Sequence, residues 1–206
     1  MNFYIVGNSL PTEITPSYSQ ILSQDFNVKI YGVSNNPIIG CVLKLIDWKV
    51  EKDSVVIIHA GCAELIPINK NSNMIWLNNV WKSLDKDNPE ISYFEETINR
   101  YKEKEGNNPY MTEDEFLESC LIARTLLNKI EVDKKIIVGV NYLPENEWRY
   151  EYMYKANKII KDIFEDLIYI DMYKEELLYL VHYDRIHFTT EGHKYMCREI
   201  LERIVK

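Results

Sequence analysis

Three residue types that together activate a nucleophile stand at opposite ends of this chain. Ser9 follows an apolar run, residues 3–6, that stops at a glycine. Asp184 and His187 lie three positions apart ahead of the C-terminal segment. A serine hydroxyl attacks well only when a base takes its proton, and a histidine does this because its pKa lies near neutrality. A carboxylate then fixes the histidine tautomer. We therefore predict Ser9 as nucleophile, His187 as base and Asp184 as the group that orients His187.

These residues need a scaffold that brings the two ends of the chain together. Short apolar runs alternate with helical patterns, and each run suits a strand buried on both faces of a sheet. Strands connected through helices imply right-handed crossovers and a parallel sheet with helices on both sides. We predict a three-layer α/β/α sandwich with a five-stranded parallel sheet of the flavodoxin-like type. The predicted strands are residues 3–6, 28–31, 54–60, 136–140 and 167–171.

The predicted helices lie between these strands. They cover residues 16–26, the segment after Pro37, the segment after Thr112, residues 147–165 and the segment from Thr190 onward. The run Thr112-Glu113-Asp114-Glu115 has the form of a capping box, so it marks a helix start. The apolar stripe of that helix is predicted to consist of Phe116, Leu117, Leu121, Ile122, Leu126 and Leu127.

The chain has 206 residues and no linker rich in Pro, Gly or Ser, so one domain spanning 1–206 is expected. The least regular region, at about 65–111, contains three prolines and two tryptophans. It is too long for a plain connection inside a compact domain. We predict that it forms a cap or lid insertion, built as a true lid or as a set of short helices.

Composition limits the partners of this protein. The net charge is -8, and the charges are spread along the chain, which excludes a nucleic-acid backbone or an anionic membrane surface as an expected partner. The four cysteines have no Cys-x-x-Cys spacing, no basic leader precedes the first strand, and no apolar run reaches the ~18 residues of a membrane span. We therefore expect reduced thiols and a cytoplasmic location.

The sequence contains no signature of a metal or cofactor site. Its four histidines show no His-x-x-x-His spacing, and neither a Gly-x-Gly-x-x-Gly run nor a phosphate-loop lysine is present. No metal and no cofactor are expected. His59 lies within a predicted strand and is expected in the core, while structural roles are expected for His182 and His193.

From end to end the chain resembles the SGNH (GDSL-like) hydrolase family. In that family a nucleophilic serine follows the first strand in a Gly-Asp-Ser-Leu block, which is matched here by Gly7-Asn8-Ser9-Leu10. A glycine after the second strand is matched by Gly32, and the Asp-x-x-His block is matched by Asp184 and His187, with Glu191-Gly192-His193 downstream. The resemblance implies that the backbone N–H groups of Ser9 and Gly32 form the oxyanion hole.

One block departs from the family pattern. The family has Gly-x-Asn-Asp after the third strand, where the Asn side chain is an oxyanion donor, whereas this chain has Gly61-Cys62-Ala63-Glu64. Ala63 has no side-chain donor, and losing one donor costs on the order of 10²-fold in rate. Either the enzyme is slow or specialised, or a nearby amide substitutes. The candidate amides are Asn8, Asn35 and Asn141.

The function expected from this resemblance is that of a serine esterase. It would hydrolyse a small ester, and an O-acetylated sugar would suit such an enzyme, through an acyl-enzyme on Ser9. An O-acyltransferase that uses the same triad is the nearest alternative. A non-catalytic carbohydrate-binding module that kept the fold is a rival of another class. A flavodoxin-like receiver fits less well, because the acidic cluster that it needs after the first strand is absent.

Overall fold

The computed structural model describes residues 1–8, 16–61, 63–104, 106, 108–182 and 187–205. Ser9 and Asp184, two of the predicted catalytic residues, lie outside the described residues, and so does Cys62 of the divergent block. His187 and the glycines that follow the first two strands are within them.

The five predicted strands form one parallel sheet. They are β1 (Asn2–Gly7), β2 (Asn27–Gly32), β3 (Ser54–His59), β4 (Lys134–Val138) and β5 (Ile168–Ile170), in the order β2-β1-β3-β4-β5. Every neighbouring pair is parallel. The fold predicted from the alternating apolar runs is therefore confirmed.

Helices cover both faces of the sheet. Seven α-helices are described, namely α1 (Tyr18–Leu22), α2 (Ile38–Asp47), α3 (Lys70–Ser83), α4 (Ile91–Glu103), α5 (Glu113–Asn128), α6 (Tyr150–Phe164) and α7 (Thr190–Val205), with a 3-10 helix at Glu175–Leu180. Successive residues of a strand point to opposite faces of the sheet. Tyr4 and Val6 of β1 pack with α2, α5 and α6, whereas Phe3 and Ile5 pack with α1 and α7. A strand covered on both sides carries no polar alternation, which is why β1 is an uninterrupted apolar run.

Local signals account for two helix starts. Thr112 accepts a hydrogen bond from the backbone N–H of Glu115, whose carboxylate accepts one from Thr112 in return, so the predicted capping box is present. Ser17 and Gln20 make the same arrangement at the start of α1. The stripe predicted for α5 was wrong in part, because Leu117 and Leu121 are 39% and 49% exposed. The face that points to the core is formed by Phe116, Ser119, Cys120, Ala123, Leu126 and Leu127.

The segment predicted as a cap or lid at about 65–111 contains α3 and α4. Their apolar side chains do not form a separate unit, since Leu77, Val80, Phe94 and Ile98 are buried in the same core as α2. Lys104 closes the far end of the segment by pairing with Glu115 of α5 at 2.5 Å. Whether this segment covers the substrate stays a prediction.

Candidate active site

The ends of three central strands lie level with one another at the C-terminal edge of the sheet. Gly7 of β1 is paired with Gly32 of β2 on one side and with His59 of β3 on the other. The alignment continues past the strands, because Asn8 donates its backbone N–H to the His59 carbonyl at 3.1 Å. Gly32 therefore lies beside the residue that opens the Gly-Asn-Ser-Leu block. Ligands of open α/β sheets bind at this edge.

His187 lies directly before a residue that packs at the same edge of the sheet. Val181 and Phe188 form an antiparallel bridge, and the His182 backbone N–H donates to the His187 carbonyl at 2.7 Å. Phe188 is fully buried, with its ring 5.6 Å from that of His59 at the end of β3. The packing of Phe188 thus brings the half-buried His187 to the region where β1 and β3 end.

The start of α7 is bonded to the end of the 3-10 helix. Thr189 donates its backbone N–H to the Leu180 carbonyl at 2.8 Å, and its hydroxyl accepts from the Gly192 N–H at 3.1 Å. A Cβ on residue 192 would lie 2.2 Å from the Leu180 carbonyl oxygen, closer than atoms can approach. Glycine in the Glu-Gly-His run therefore lets α7 begin directly against the 3-10 helix.

Two other histidines lie beneath the site and stay uncharged. His193 Nδ1 accepts the Tyr18 backbone N–H at 3.2 Å, which places the ring proton on Nε2. His59 Nδ1 lies 3.4 Å from the Tyr18 hydroxyl. Burial lowers the pKa of His59 to about 3 and that of His193 to about 4, because an imidazolium loses its hydration there. Neither takes up a proton at neutral pH, and the core role predicted for His59 is confirmed by its burial.

The loop after β2 contains one of the proposed substitute donors, Asn35. Its backbone has a φ of 54°, in the left-handed region that asparagine tolerates. Its side-chain Nδ2 donates to Asn73 Oδ1 of α3 at 3.0 Å, and Asn73 in turn donates to the Tyr101 hydroxyl at 3.1 Å. Tyr110 donates its hydroxyl to the Asn35 carbonyl at 3.0 Å. The Asn35 side chain is thus directed toward the helical segment 65–111.

The neighbouring amide, Asn36, was not singled out from the sequence. It is fully buried, and its Nδ2 lies 3.4 Å from the Gly7 carbonyl and 3.1 Å from Cys41 Sγ. Its side chain therefore ties the loop after β2 to the end of β1, which carries the serine block. The pair Asn35-Asn36 directly after a strand is the signal that could have identified it.

The divergent block after β3 is built around a buried acid. Gly61 has a φ of 100°, and a Cβ there would lie 2.4 Å from Ile160 Cδ1. Ala63 and Glu64 are buried, and Glu64 Oε1 accepts the Ile38 backbone N–H at 2.8 Å. Pro37, which precedes α2, has no side-chain donor or acceptor, so the Glu64 carboxylate caps that helix from another loop.

The same acid joins three segments of the site. Besides capping α2, Glu64 accepts the Met111 backbone N–H on its own carbonyl at 3.1 Å, where segment 65–111 ends. Burial raises the pKa of the Glu64 carboxyl to about 7, and the N–H groups of Ile38, Glu64 and Ala63 oppose that rise only partly. Its charge state therefore changes near neutral pH.

The other two proposed donors lie on either side of the divergent block. Asn8 follows β1 and Asn141 follows β4, the two strands that flank β3, and both side chains are buried. Asn8, Ala63 and Asn141 therefore follow three neighbouring strands, which lie about 5 Å apart.

Within the described ranges, His, Cys, Asp and Glu side chains form no group of three or more that could hold a metal ion. Cys41, Cys120 and Cys197 are free thiols in the buried interior. None of the helices that the structure describes is long and apolar enough to cross a bilayer.

Solved structures with this fold cover nearly the whole chain. A member of the lipolytic protein G-D-S-L family from Veillonella parvula aligns with a TM-score of 0.59 at 13% identity, over 98% of this chain and 97% of that one. A catalytic mutant of an acetylxylan esterase from Geobacillus stearothermophilus aligns with a TM-score of 0.60 at 15% identity, over 98% and 93%. A lipase/acylhydrolase from Enterococcus faecalis gives 0.58 at 14%, over 99% and 95%.

These likenesses establish the fold, and the resemblance to SGNH hydrolases is confirmed at that level. No protein-family model and no curated protein sequence matches the chain. The catalytic assignments therefore depend on the residues themselves.

Proposed function

We propose that this protein is a serine esterase that acts on a small ester. The observation that carries the proposal is the meeting of three sequence blocks at one sheet edge. Gly7 and Asn8 open the serine block, Gly32 lies beside Gly7, and Phe188, the residue after His187, packs against His59 at the end of β3. The solved neighbours that share this fold include esterases and an acylhydrolase.

The proposed reaction proceeds through an acyl-enzyme. Ser9 attacks the ester carbonyl while His187 takes the hydroxyl proton, and Asp184 holds the imidazole in the required tautomer. The backbone N–H groups of Ser9 and Gly32 donate to the oxyanion. His187 then gives its proton to the departing alcohol, and water activated by the same base releases the acid.

Because Ala63 has no side-chain donor, either another amide donates to the oxyanion in its place or the reaction is slower. Asn8 and Asn141 are the stronger candidates, because their strands flank β3 on both sides. Asn35 is weaker, because it follows β2, which is two strands from β3, and its side chain is directed to Asn73 on α3. The Asn141 side chain is buried at the end of β4, where an amide can reach toward the neighbouring strand end.

The substrate class we favour is an O-acetylated carbohydrate. Structures matched here are described as an acetylxylan esterase and an acetyl-xylooligosaccharide esterase, both from Geobacillus stearothermophilus. An acidic protein of net charge -8 also favours a neutral ester over an anionic one.

A fluorophosphonate probe tests the proposal directly, because it bonds only to an activated nucleophile. We expect a single adduct on Ser9, located by mass spectrometry of the digested protein, and no adduct on Ser9→Ala. Ser17, which caps α1 and hydrogen-bonds to Ser19, serves as an internal serine that should remain unlabelled. Absence of labelling in folded wild-type protein, or labelling of another serine, contradicts the esterase assignment.

A further inference from the structure

Four tyrosines outside the proposed catalytic residues form a continuous aromatic surface. Tyr142 packs edge-on against Tyr173 at 5.3 Å between ring centroids, and Tyr173 contacts Tyr154 at 6.1 Å. Tyr154 is stacked on Tyr150 at 6.0 Å with only 17° between the ring planes. We call Tyr142, Tyr150, Tyr154 and Tyr173 the tyrosine platform.

The platform lies on the same edge of the sheet as the candidate active site. Tyr142 follows β4 and Tyr173 follows β5, and the Tyr142 backbone N–H donates to the Met172 carbonyl at 3.2 Å. Tyr150 and Tyr154 occupy the first turns of α6. Because β4 is next to β3 and two strands from β1, the end of β4 lies about 10 Å from the end of β1. Adjacent units of one chain-like substrate could span that distance.

The platform is open to solvent. Tyr154 is 48% exposed, and the other three tyrosines are partly buried. Beside them Trp148 is 63% exposed, with the Arg149 guanidinium 5.4 Å from its ring centroid. Packing against the core accounts for the buried parts of Tyr150 and Tyr173, whereas Tyr154 and Trp148 remain exposed.

The polar groups of this surface select the kind of ligand. Desolvation raises the pKa of the Tyr142 phenol, and the nearby carboxylates of Glu175 and Glu145 raise it further. These carboxylates disfavour anions beside Tyr142, and phenol and carboxylate oxygens accept hydrogen bonds from hydroxyl groups. A neutral polyhydroxylated ring with an apolar face matches these features.

We propose that the tyrosine platform binds a neutral pyranose unit of an oligosaccharide, next to the unit whose acetyl ester reaches Ser9. This inference rests on the proposed esterase function for the position of the ester. The sugar ring lies on the exposed face of Tyr154. The platform therefore selects esters carried on a sugar chain over esters of isolated small alcohols.

Binding without catalysis provides the first test. Xylohexaose, cellohexaose and chitohexaose, none of which carries an O-acetyl ester, are titrated into the protein while tryptophan fluorescence and backbone amide NMR shifts are recorded. We expect at least one of these sugars to bind and to shift the amides of residues 142, 150, 154 and 173. Tyr154→Ala should raise the dissociation constant about tenfold, which is the scale of losing one aromatic contact.

Two further variants make the test specific. Tyr173→Phe removes only the buried hydroxyl, which a ligand on the outer face does not touch, so it should leave binding unchanged. Tyr179→Ala is the second control, because Tyr179 is 69% exposed on the 3-10 helix and lies outside the platform. Failure of all three sugars to bind overturns the proposal, and so does binding that Tyr154→Ala does not weaken.

Kinetics separate this inference from the esterase proposal. On an acetylated form of the sugar that binds, Tyr154→Ala should raise KM more than it lowers kcat, and the ratio of kcat/KM for this substrate to that for an aryl acetate should fall about tenfold. A protein that binds the sugar but leaves Ser9 unlabelled by the fluorophosphonate refutes the esterase and keeps the platform. A protein whose Ser9 is labelled but that binds none of the sugars refutes the platform and keeps the esterase.

Discussion

Glu64→Gln tests how the buried acid at the divergent block couples to pH. The glutamine keeps an oxygen for the Ile38 N–H and resembles the protonated acid in shape, but it cannot ionise. Glu64 is fully buried, and its pKa is raised to about 7 by burial, from the value of 4.5 expected of an exposed glutamate. At pH values between 4.5 and about 7, the native state therefore holds a proton on Glu64 that the unfolded chain has already released.

The sign of the effect follows from proton linkage. Between about pH 4.5 and pH 7 the native state binds more protons at Glu64 than the unfolded state does, so the free energy of unfolding falls as pH rises. Each pKa unit of difference corresponds to about 1.4 kcal/mol. From the two pKa values, the free energy of unfolding is lower by about 3 kcal/mol once the pH is above 7. This contribution is present in full only below about pH 4.5.

Urea denaturation of wild type and Glu64→Gln at pH 5, 6, 7 and 8 measures this directly. The variant should become more stable relative to wild type by about 2.5 kcal/mol from pH 5 to pH 8. Glu103→Gln, which removes the same charge from an exposed position at the end of α4, is the matched control. A stability difference between Glu64→Gln and wild type that stays constant from pH 5 to pH 8 refutes the reasoning, because Glu64 would then titrate alike in both states.

The remaining predictions concern turnover of a short-chain aryl ester. His187→Ala and Asp184→Ala should each abolish turnover, the former at least as severely, and the wild-type rate should fall at acid pH as the base protonates. Wild-type turnover by His187→Ala with an unchanged Tm would show that the triad is misassigned. Ala63→Asn should raise kcat with little change in KM if the oxyanion hole lacks a donor, and lower it if an amide already fills that place. If an amide already fills that place, turnover should fall ~10²-fold in one alanine variant. The variants to compare are Asn8→Ala, Asn35→Ala and Asn141→Ala; no effect from any of the four changes would mean that the backbone N–H groups act alone.

The pH predictions concern two different groups and can be read separately. Loss of turnover at acid pH reports the catalytic base, which must be uncharged to accept the Ser9 proton. The stability change reports Glu64, whose carboxylate caps α2 and whose backbone carbonyl holds Met111. Because Glu64→Gln cannot titrate, a turnover profile that keeps its acid limb in this variant assigns that limb to another group.

Much of the fold was determined by the sequence alone. Residues 3–6 and 54–60 predict central strands because a parallel strand with both faces covered has no polar alternation to conceal it. The capping box at Thr112 was recognisable because both of its partners lie within one helical turn. The catalytic blocks could be found because each is a short contiguous run at the end of a predicted strand or before a predicted helix.

Only the tertiary structure decided which long-range partners these residues meet. Asn35 is bound to Asn73, 38 positions away, and nothing local to Asn35 indicates it. The pKa of Glu64 depends on complete burial between segments, and Tyr142 meets Tyr173 because β4 and β5 are neighbours. Leu117 has the hydrophobicity of a core residue but lies on the outer side of α5, since helical periodicity gives a face only relative to what packs against it. Desolvation and cross-strand proximity are properties of the folded chain, so no pattern along the sequence specifies them.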